Sequence, residues 1–298
     1  MEITRPISAT PARAITVTYP RRRKSPLGTI LLHAIIIFFC LIVVVPIAWV
    51  ILRSITPIPD AYTGQLWPSY FDFTHYSYVF EHIPTFLRNF TNSVVVTTAT
   101  VILASTFSIL AGYGLVHVRL PGRNIVISLL VGTLFFPARL VSLIGIFQIQ
   151  NAVGLINTLP GLILPYVTLS LAVSILIMRG VFETISSEIA DAAKMDGASS
   201  FRTLWEIMLP LIANGIVVLV IVNFVTAWGE YLLAATLTND QSVRTMPVVL
   251  ATTFGGFGEW AWPRISAVYI MAITPGIVGF ALAQRWYMKG LLEGALKL

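Results

Sequence analysis

The residues of this 298-residue chain that could do acid–base, nucleophilic or metal chemistry stand apart from one another. The four histidines, His33, His75, His82 and His117, are scattered along the chain, and no metal-ligand spacing joins them. Cys40 is the single cysteine and sits inside an apolar run, so it forms no intramolecular disulfide and reads as a small core residue. No Ser/His/Asp set or paired carboxylate points to hydrolysis. No Gly-x-x-x-x-Gly-Lys-Ser/Thr loop is present to cradle phosphates. The chain therefore reads as a non-enzyme that binds no cofactor of its own.

What remains is the chemistry of holding a polar solute. Arg139 lies just after Pro137 and roughly 21 Å into an apolar run at 1.5 Å per residue. A charge at that depth must face a bundle interior or a water-filled cavity. It could hold a hydroxyl-rich or anionic solute, or pair with another subunit or a helix-end carbonyl. Glu230 follows Pro210 by about 30 Å of helix, which places it near the far edge of its run as an interfacial or gating residue. Asn223, Trp228 and Tyr231 share that half of the run. Aromatic faces suit sugar rings, and they equally suit packing against lipid.

Lipid must be the solvent for most of the elements that carry these residues. Hydrophobic residues make up 56% of the chain and charged ones 11%, with a mean hydropathy of +0.84. Soluble domains carry about 25% charged residues. The pI near 9.6 comes from basic residues flanking apolar runs rather than from a clustered patch, which argues against nucleic-acid binding.

A spanning helix needs about 20 apolar residues. Six runs qualify: Gly28–Leu52, Ser93–His117, Ile125–Phe147, Leu159–Val181, Leu211–Ala235 and Ile265–Gln284. The fold class is therefore an all-α integral membrane protein with six transmembrane helices. Fourteen of the nineteen Lys and Arg fall on the side that holds both termini, four on the other, and Arg139 within a span. That bias predicts cytoplasmic N- and C-termini. Residues 1–27, with the Arg21–Lys24 cluster, read as a flexible cytoplasmic tail, and 28–298 as the transmembrane domain. The outer segments Arg53–Asn92 and Thr236–Arg264 are rich in Trp, Tyr and Phe, suited to the membrane interface or to an extracytoplasmic partner.

The segment of about 182–210 between spans four and five is different. Ser186 and Ser187 precede Glu188, and side-chain oxygens with negative charge start a helix well. Ala190, Ala192 and Ala193 favour helix, and Gly197 stands where a stop is expected. Ser199 and Ser200 cap a second short helix through Phe201, Leu204, Trp205 and Met208, and Pro210 allows a new helix to begin. The small residues admit a partner's backbone, and Ile189 and Met195 could enter a partner's groove. A connector lying on the membrane would look the same on these grounds.

The run Asp191-Ala192-Ala193, three residues, Gly197, nine residues, Ile207-x-Leu209-Pro210 resembles the EAA loop of permease subunits of bacterial ABC importers. Ala193–Ser199 is similar to the carbohydrate branch of that family, which includes the smaller maltose permease and the glycerol-phosphate permeases. Leu120-Pro121-Gly122-Arg123, Gly154-Leu155-Ile156-Asn157-Thr158, Trp228-Gly229-Glu230 and the tail Lys289-Gly290-Leu291 with Gly294–Lys297 resemble further motifs of the branch. The resemblance covers residues 25–298 and implies a bacterial inner-membrane permease importing a sugar or sugar-like solute.

By that resemblance, Asp191, Ala192, Ala193 and Gly197 belong to a coupling helix that docks in a cleft of the ATPase. Ile189 and Met195 are packing neighbours, and Ile207, Leu209 and Pro210 tie the helix to span five. The implied partners are a second homologous permease, two ATPase subunits that bind the ATP and Mg, an extracytoplasmic substrate-binding protein, and lipid. Two positions depart from the pattern: Asp191 stands for the usual glutamate and Gly229 for the usual asparagine. A polyol, a sugar acid or another polar solute stays open as cargo. A non-ABC transporter would more often show an inverted repeat, which the sequence lacks.

Overall fold

A computed structural model describes residues 26–135, 138–255 and 261–295, without the side chains of 26–27, 138–140, 253–255, 282–283 and 285–295. Residues up to Trp49 form one unit and Val50–Leu298 a second. The tail expected over 1–27 lies outside the described set up to residue 25, while Pro26 and Leu27 already belong to a helix; the side chain of Arg139 also lies outside it.

The first unit is most of α1, Pro26–Ser54, whose apolar window reaches a hydropathy of 3.3. In the second unit the chain continues through α2 (Ile58–Ala61), α3 (Thr74–His82) and α4 (Phe86–His117). Then come α5 (Arg123–Phe135), α6 (Ala138–Ala152), α7 (Leu159–Glu183) and α8 (Ser187–Met195). A run from Ser200 to Leu211 comprises α9 (Ser200–Arg202), a π-helical turn (Thr203–Met208) and α10 (Leu209–Leu211). The chain ends in α11 (Ala213–Trp228), α12 (Leu232–Leu237), α13 (Met246–Gly255) and α14 (Trp262–Ala295).

Four helices among the described residues are long and apolar enough to cross a membrane: Gly28–Ser54, Phe86–His117, Leu159–Glu183 and Trp262–Ala281. The run expected as span five takes a different form. Ser200–Leu211 and Ala213–Trp228 meet at an 85° bend, so together they make one bent candidate span. The helix continues through Pro210 and turns at Ile212, so Pro210 precedes the break by two residues instead of opening the new helix. A second interruption at Gly229–Tyr231 separates α12. Run three, Ile125–Phe147, is occupied by the two shorter helices α5 and α6.

The core of the second unit is built on α4 against α7. Ser93, Thr97, Thr100, Ala104, Ser105, Ser108 and Gly112 are buried along one face of α4, at the three- and four-residue spacing of a helix stripe. Small residues let two membrane helices approach closely, because in lipid the attraction comes from packing rather than from the hydrophobic effect. Gly112 marks the tightest point: a Cβ there would sit 2.8 Å from Met178 Cβ and 3.0 Å from the Arg179 backbone nitrogen. Three apolar clusters surround this pair. One gathers Val96, Leu162, Tyr166, Ala227, Leu233 and Leu237. A second gathers Tyr113, Met178, Phe182, Ala190, Leu204, Met208, Ile212 and Leu219 beneath α8. The third gathers Val79, Phe86, Met246, Ala267 and Val268 at the other end.

Candidate functional site: a capped helix on the ends of the bundle

The segment that connects α7 to α11 is ordered by its own sequence at every turn. Ser186 is the N-cap of α8, and its Oγ accepts from the Glu188 amide at 3.3 Å. Glu188 in the first turn and Lys194 in the last complement the helix dipole. The C-terminus closes by a pair of backbone bonds, Ala198 N–H to Ala193 C=O at 2.9 Å and Gly197 N–H to Lys194 C=O at 3.0 Å. That 6→1 and 5→2 pairing requires a left-handed residue, and Gly197 supplies it with φ +80°. Ser199 then caps α9, its Oγ accepting from the Arg202 amide at 3.3 Å.

Pro210 explains the geometry that follows. Its missing N–H and its ring forbid a normal bond to the carbonyl of Glu206. The turn widens instead, and the Leu209 amide donates to Leu204 C=O, five residues back. The widened turn, Thr203–Met208, buries Leu204 and Met208 in the cluster shared with Tyr113, Met178, Phe182 and Leu219. The connector thus rests on the ends of α4, α7 and α11.

The residues singled out from sequence divide into two sides. Ala190 and Ala193 are buried at 2% and 4% exposure, against the chain's own core. Asp191, Ala192 and Gly197 are exposed, Ile189 is 38% exposed, and Met195 is 88% exposed. Asp191 pairs with Lys194 at 3.1 Å on that outer side. Ile207 and Leu209 are half-buried, and Pro210 is exposed.

The candidate path residues are dispersed, and Asn223, Trp228 and Glu230 have protein partners. Asn223 is buried where α4, α7 and α11 meet. Its Oδ1 accepts from Ser174 at 2.8 Å, and its Nδ2 donates to Ser105 at 3.3 Å. Trp228 donates from Nε1 to Ala272 C=O at 3.1 Å and stacks on Phe224 at 5.8 Å. The Glu230 carboxylate accepts from the amides of Leu233 at 3.1 Å and Ala234 at 3.2 Å, so it caps α12 across the break. Tyr231 is 46% exposed. Among the described residues no group of His, Cys, Asp or Glu could hold a metal ion.

Sequence reasoning gave no structural role to the polar residues that join the far end, although Asn157 and Thr158 stand in the Gly154–Thr158 motif. Asn157 adopts φ 59°, and its Oδ1 accepts from the amides of Asn239 at 2.6 Å and Asp240 at 3.0 Å. Thr158 next to it caps α7, accepting from Gly161 at 3.1 Å. Asn89 donates to the carbonyls of Gln241 and Arg244 at 2.7 and 2.9 Å, and Asn92 to Ser242 at 2.9 Å. Buried amides spaced by three along an apolar helix were the available signal.

Comparison with known proteins fits this architecture. The family model described as binding-protein-dependent transport system inner membrane component matches residues 13–291. The trehalose transport system permease protein SugB of Mycobacterium tuberculosis is 33% identical over 85% of this chain and 92% of its own length. The sulfoquinovosyl glycerol transport system permease protein SmoH of Agrobacterium fabrum is 34% identical over 75% of this chain and 77% of its own. The solved structure of a bacterial ABC transporter involved in import of the acidic polysaccharide alginate shares the fold. Its TM-score is 0.77 at 24% identity, over 91% of this chain and all of the matched one. The chain is a multi-pass inner-membrane protein, and it belongs to the family of binding-protein-dependent transport system inner membrane components.

Proposed function

We propose that this chain is one of two permease subunits of an ATP-driven importer for a sugar or sugar-like solute, with α8 as the helix that an ATPase subunit grips. The carrying observation is the two-sided character of α8. It is capped at both ends, buried through Ala190 and Ala193, and exposed through Ile189, Asp191, Ala192 and Met195. Such a helix transmits a push, because its inner face moves with the ends of α4, α7 and α11. A second homologous permease, two ATPase subunits that carry ATP and Mg, and an extracytoplasmic binding protein complete the assembly. The termini and α8 lie on the cytoplasmic side in this reading, as the Lys and Arg distribution supports. The sugar assignment rests on the carbohydrate-type loop sequence and on the transport names of SugB and SmoH.

A second reading, with an acidic solute as cargo, is favoured by Arg139 within the third apolar run. Uptake of the ligand of the cognate binding protein separates the two.

Docking is tested at Gly197. A Cβ there meets nothing within 4 Å of this chain, so its only internal demand is the positive φ. Asparagine tolerates that conformation and tryptophan does not. With the permease inserted in both cases, Gly197→Asn should keep co-purification of the ATPase, and Gly197→Trp should lose it with transport. Normal ATPase retention and uptake in Gly197→Trp would sink the proposal.

A further inference from the structure

Beside α8 lies a cavity of about 720 Å³, walled on one side by the α4–α5 turn and on the other by α8. This volume is within the roughly 300–1,000 Å³ of small-ligand sites. Its walls carry three cations, Arg119 from the turn, Arg123 from the start of α5 and Lys194 from α8, against one carboxylate, Asp191. Lys194 already pairs with that carboxylate at 3.1 Å. Arg123 is held at 3.5 Å by Glu183, which Arg179 also binds at 2.8 Å, so one carboxylate is shared between two guanidinium groups. Arg119 is exposed and makes no hydrogen bond or ion pair among the described residues. His117 also lines the cavity, its Nε2 buried without a hydrogen-bond partner.

We propose that this cavity binds a phosphate-class anion between Arg119 on the turn, Arg123 at the start of α5 and Lys194 on α8, bracing α8 against the neighbouring helix ends. Guanidinium pairs favour the planar, multidentate recognition that a phosphate offers. The position also fits. The turn joins two apolar helices, α4 and α5, at the end where the membrane surface must lie, and basic pockets at such ends hold anionic lipid headgroups. The inference rests on α8 being the coupling helix. It adds that the stiffness of that helix depends on an anion, either a lipid headgroup or free phosphate. Surface arginines that merely orient the helices would show no such dependence.

The test uses the assembled complex in nanodiscs of phosphatidylcholine alone, then with phosphatidylglycerol added, then with inorganic phosphate instead. Binding-protein-stimulated ATP hydrolysis is read, each preparation being referred to its own value in phosphatidylcholine. The expected result is a severalfold rise with phosphatidylglycerol, or with phosphate if the source is the free ion. Arg119→Gln should abolish the rise, and Arg119→Lys, which keeps the charge but not the planar fork, should restore only part of it. Arg202→Gln, which removes a charge from the same loop outside the cavity, should retain it. Native mass spectrometry should find phosphatidylglycerol or phosphate retained by the wild type and lost from Arg119→Gln.

An equal rise in Arg119→Gln and wild type, or no rise with either anion, overturns the proposal. So does loss of the ATPase from Arg119→Gln in every lipid, which would make the cavity a protein contact. None of these results touches the docking role of α8. That role fails separately, if Gly197→Trp retains the ATPase.

Discussion

The two ends of the bundle are held together by different chemistry. At the α8 end, apolar side chains of five elements meet in one cluster, and the connector above it is fixed by caps within a few residues of sequence. At the opposite end, side-chain amides reach across 82 to 155 residues to loop backbone, as Asn157 does to Asn239 and Asn89 to Arg244. The first arrangement forms a stiff unit that tolerates changes of surface. The second depends on single residues, each serving two backbone groups. A lever needs the former, and a mouth that opens and closes is served by the latter, since few bonds must break to release a loop.

The contrast is broken most severely by attacking the helix pair that both ends share. Gly112→Leu drives a side chain into Met178 and the α7 backbone, where even a Cβ lacks room. Overpacking of this kind costs about 3 kcal/mol. The expected outcome is loss of folded, monodisperse protein and a large fall in thermal midpoint, with both ends affected together.

A smaller change should be confined to one end. Asn157→Ala removes the acceptor for two loop amides and places alanine at φ 59°. The combined cost is about 2 kcal/mol, part from the bonds and part from the left-handed backbone. Proteolysis within 238–246 should accelerate, while ATPase retention at the α8 end stays normal. Asn157→Gly should recover the backbone share alone. Equal loosening at both ends would show that the bundle does not insulate them.

The same division decided what could be read from the residues alone. The α8 segment was legible because its determinants are local: Ser186, Glu188 and Gly197 act on their own neighbours, and the observed helix ends where they say. Span limits for α1, α4 and α7 were legible from apolar length, although α4 begins seven residues before the expected Ser93. That extra length carries Asn89 and Asn92, whose polarity hid two helical turns. The bend at Ile212 was not foreseen: a new helix was expected to begin at Pro210, which instead widens its own turn two residues before the break. Asn223 and Trp228 were read as candidates for a path, and each also engages a group far away in sequence; Glu230, read as interfacial or gating, makes a cap that exists only because the chain breaks at Gly229. Tertiary partners of that sort leave no periodic trace.

The mildest test sharpens the comparison on the stiff side. Asp191 and Lys194 form a pair in which both side chains are more than half exposed, and such pairs contribute about 0.2–1 kcal/mol. Asp191→Asn should therefore leave the thermal midpoint almost unchanged, because the caps and the buried Ala190 and Ala193 remain. Its effect on docking is independent of that. Asp191 is one methylene shorter than the glutamate usual in such loops, so a charge contact with an ATPase would have to be made at closer range. If that contact carries docking, Asp191→Asn lowers ATPase retention about tenfold at constant stability, and Asp191→Glu preserves it. If retention holds in both variants, the apolar Met195 and Ile189 do the gripping, and Met195→Glu becomes the variant that releases the ATPase. Either result separates what orders the helix from what a partner holds.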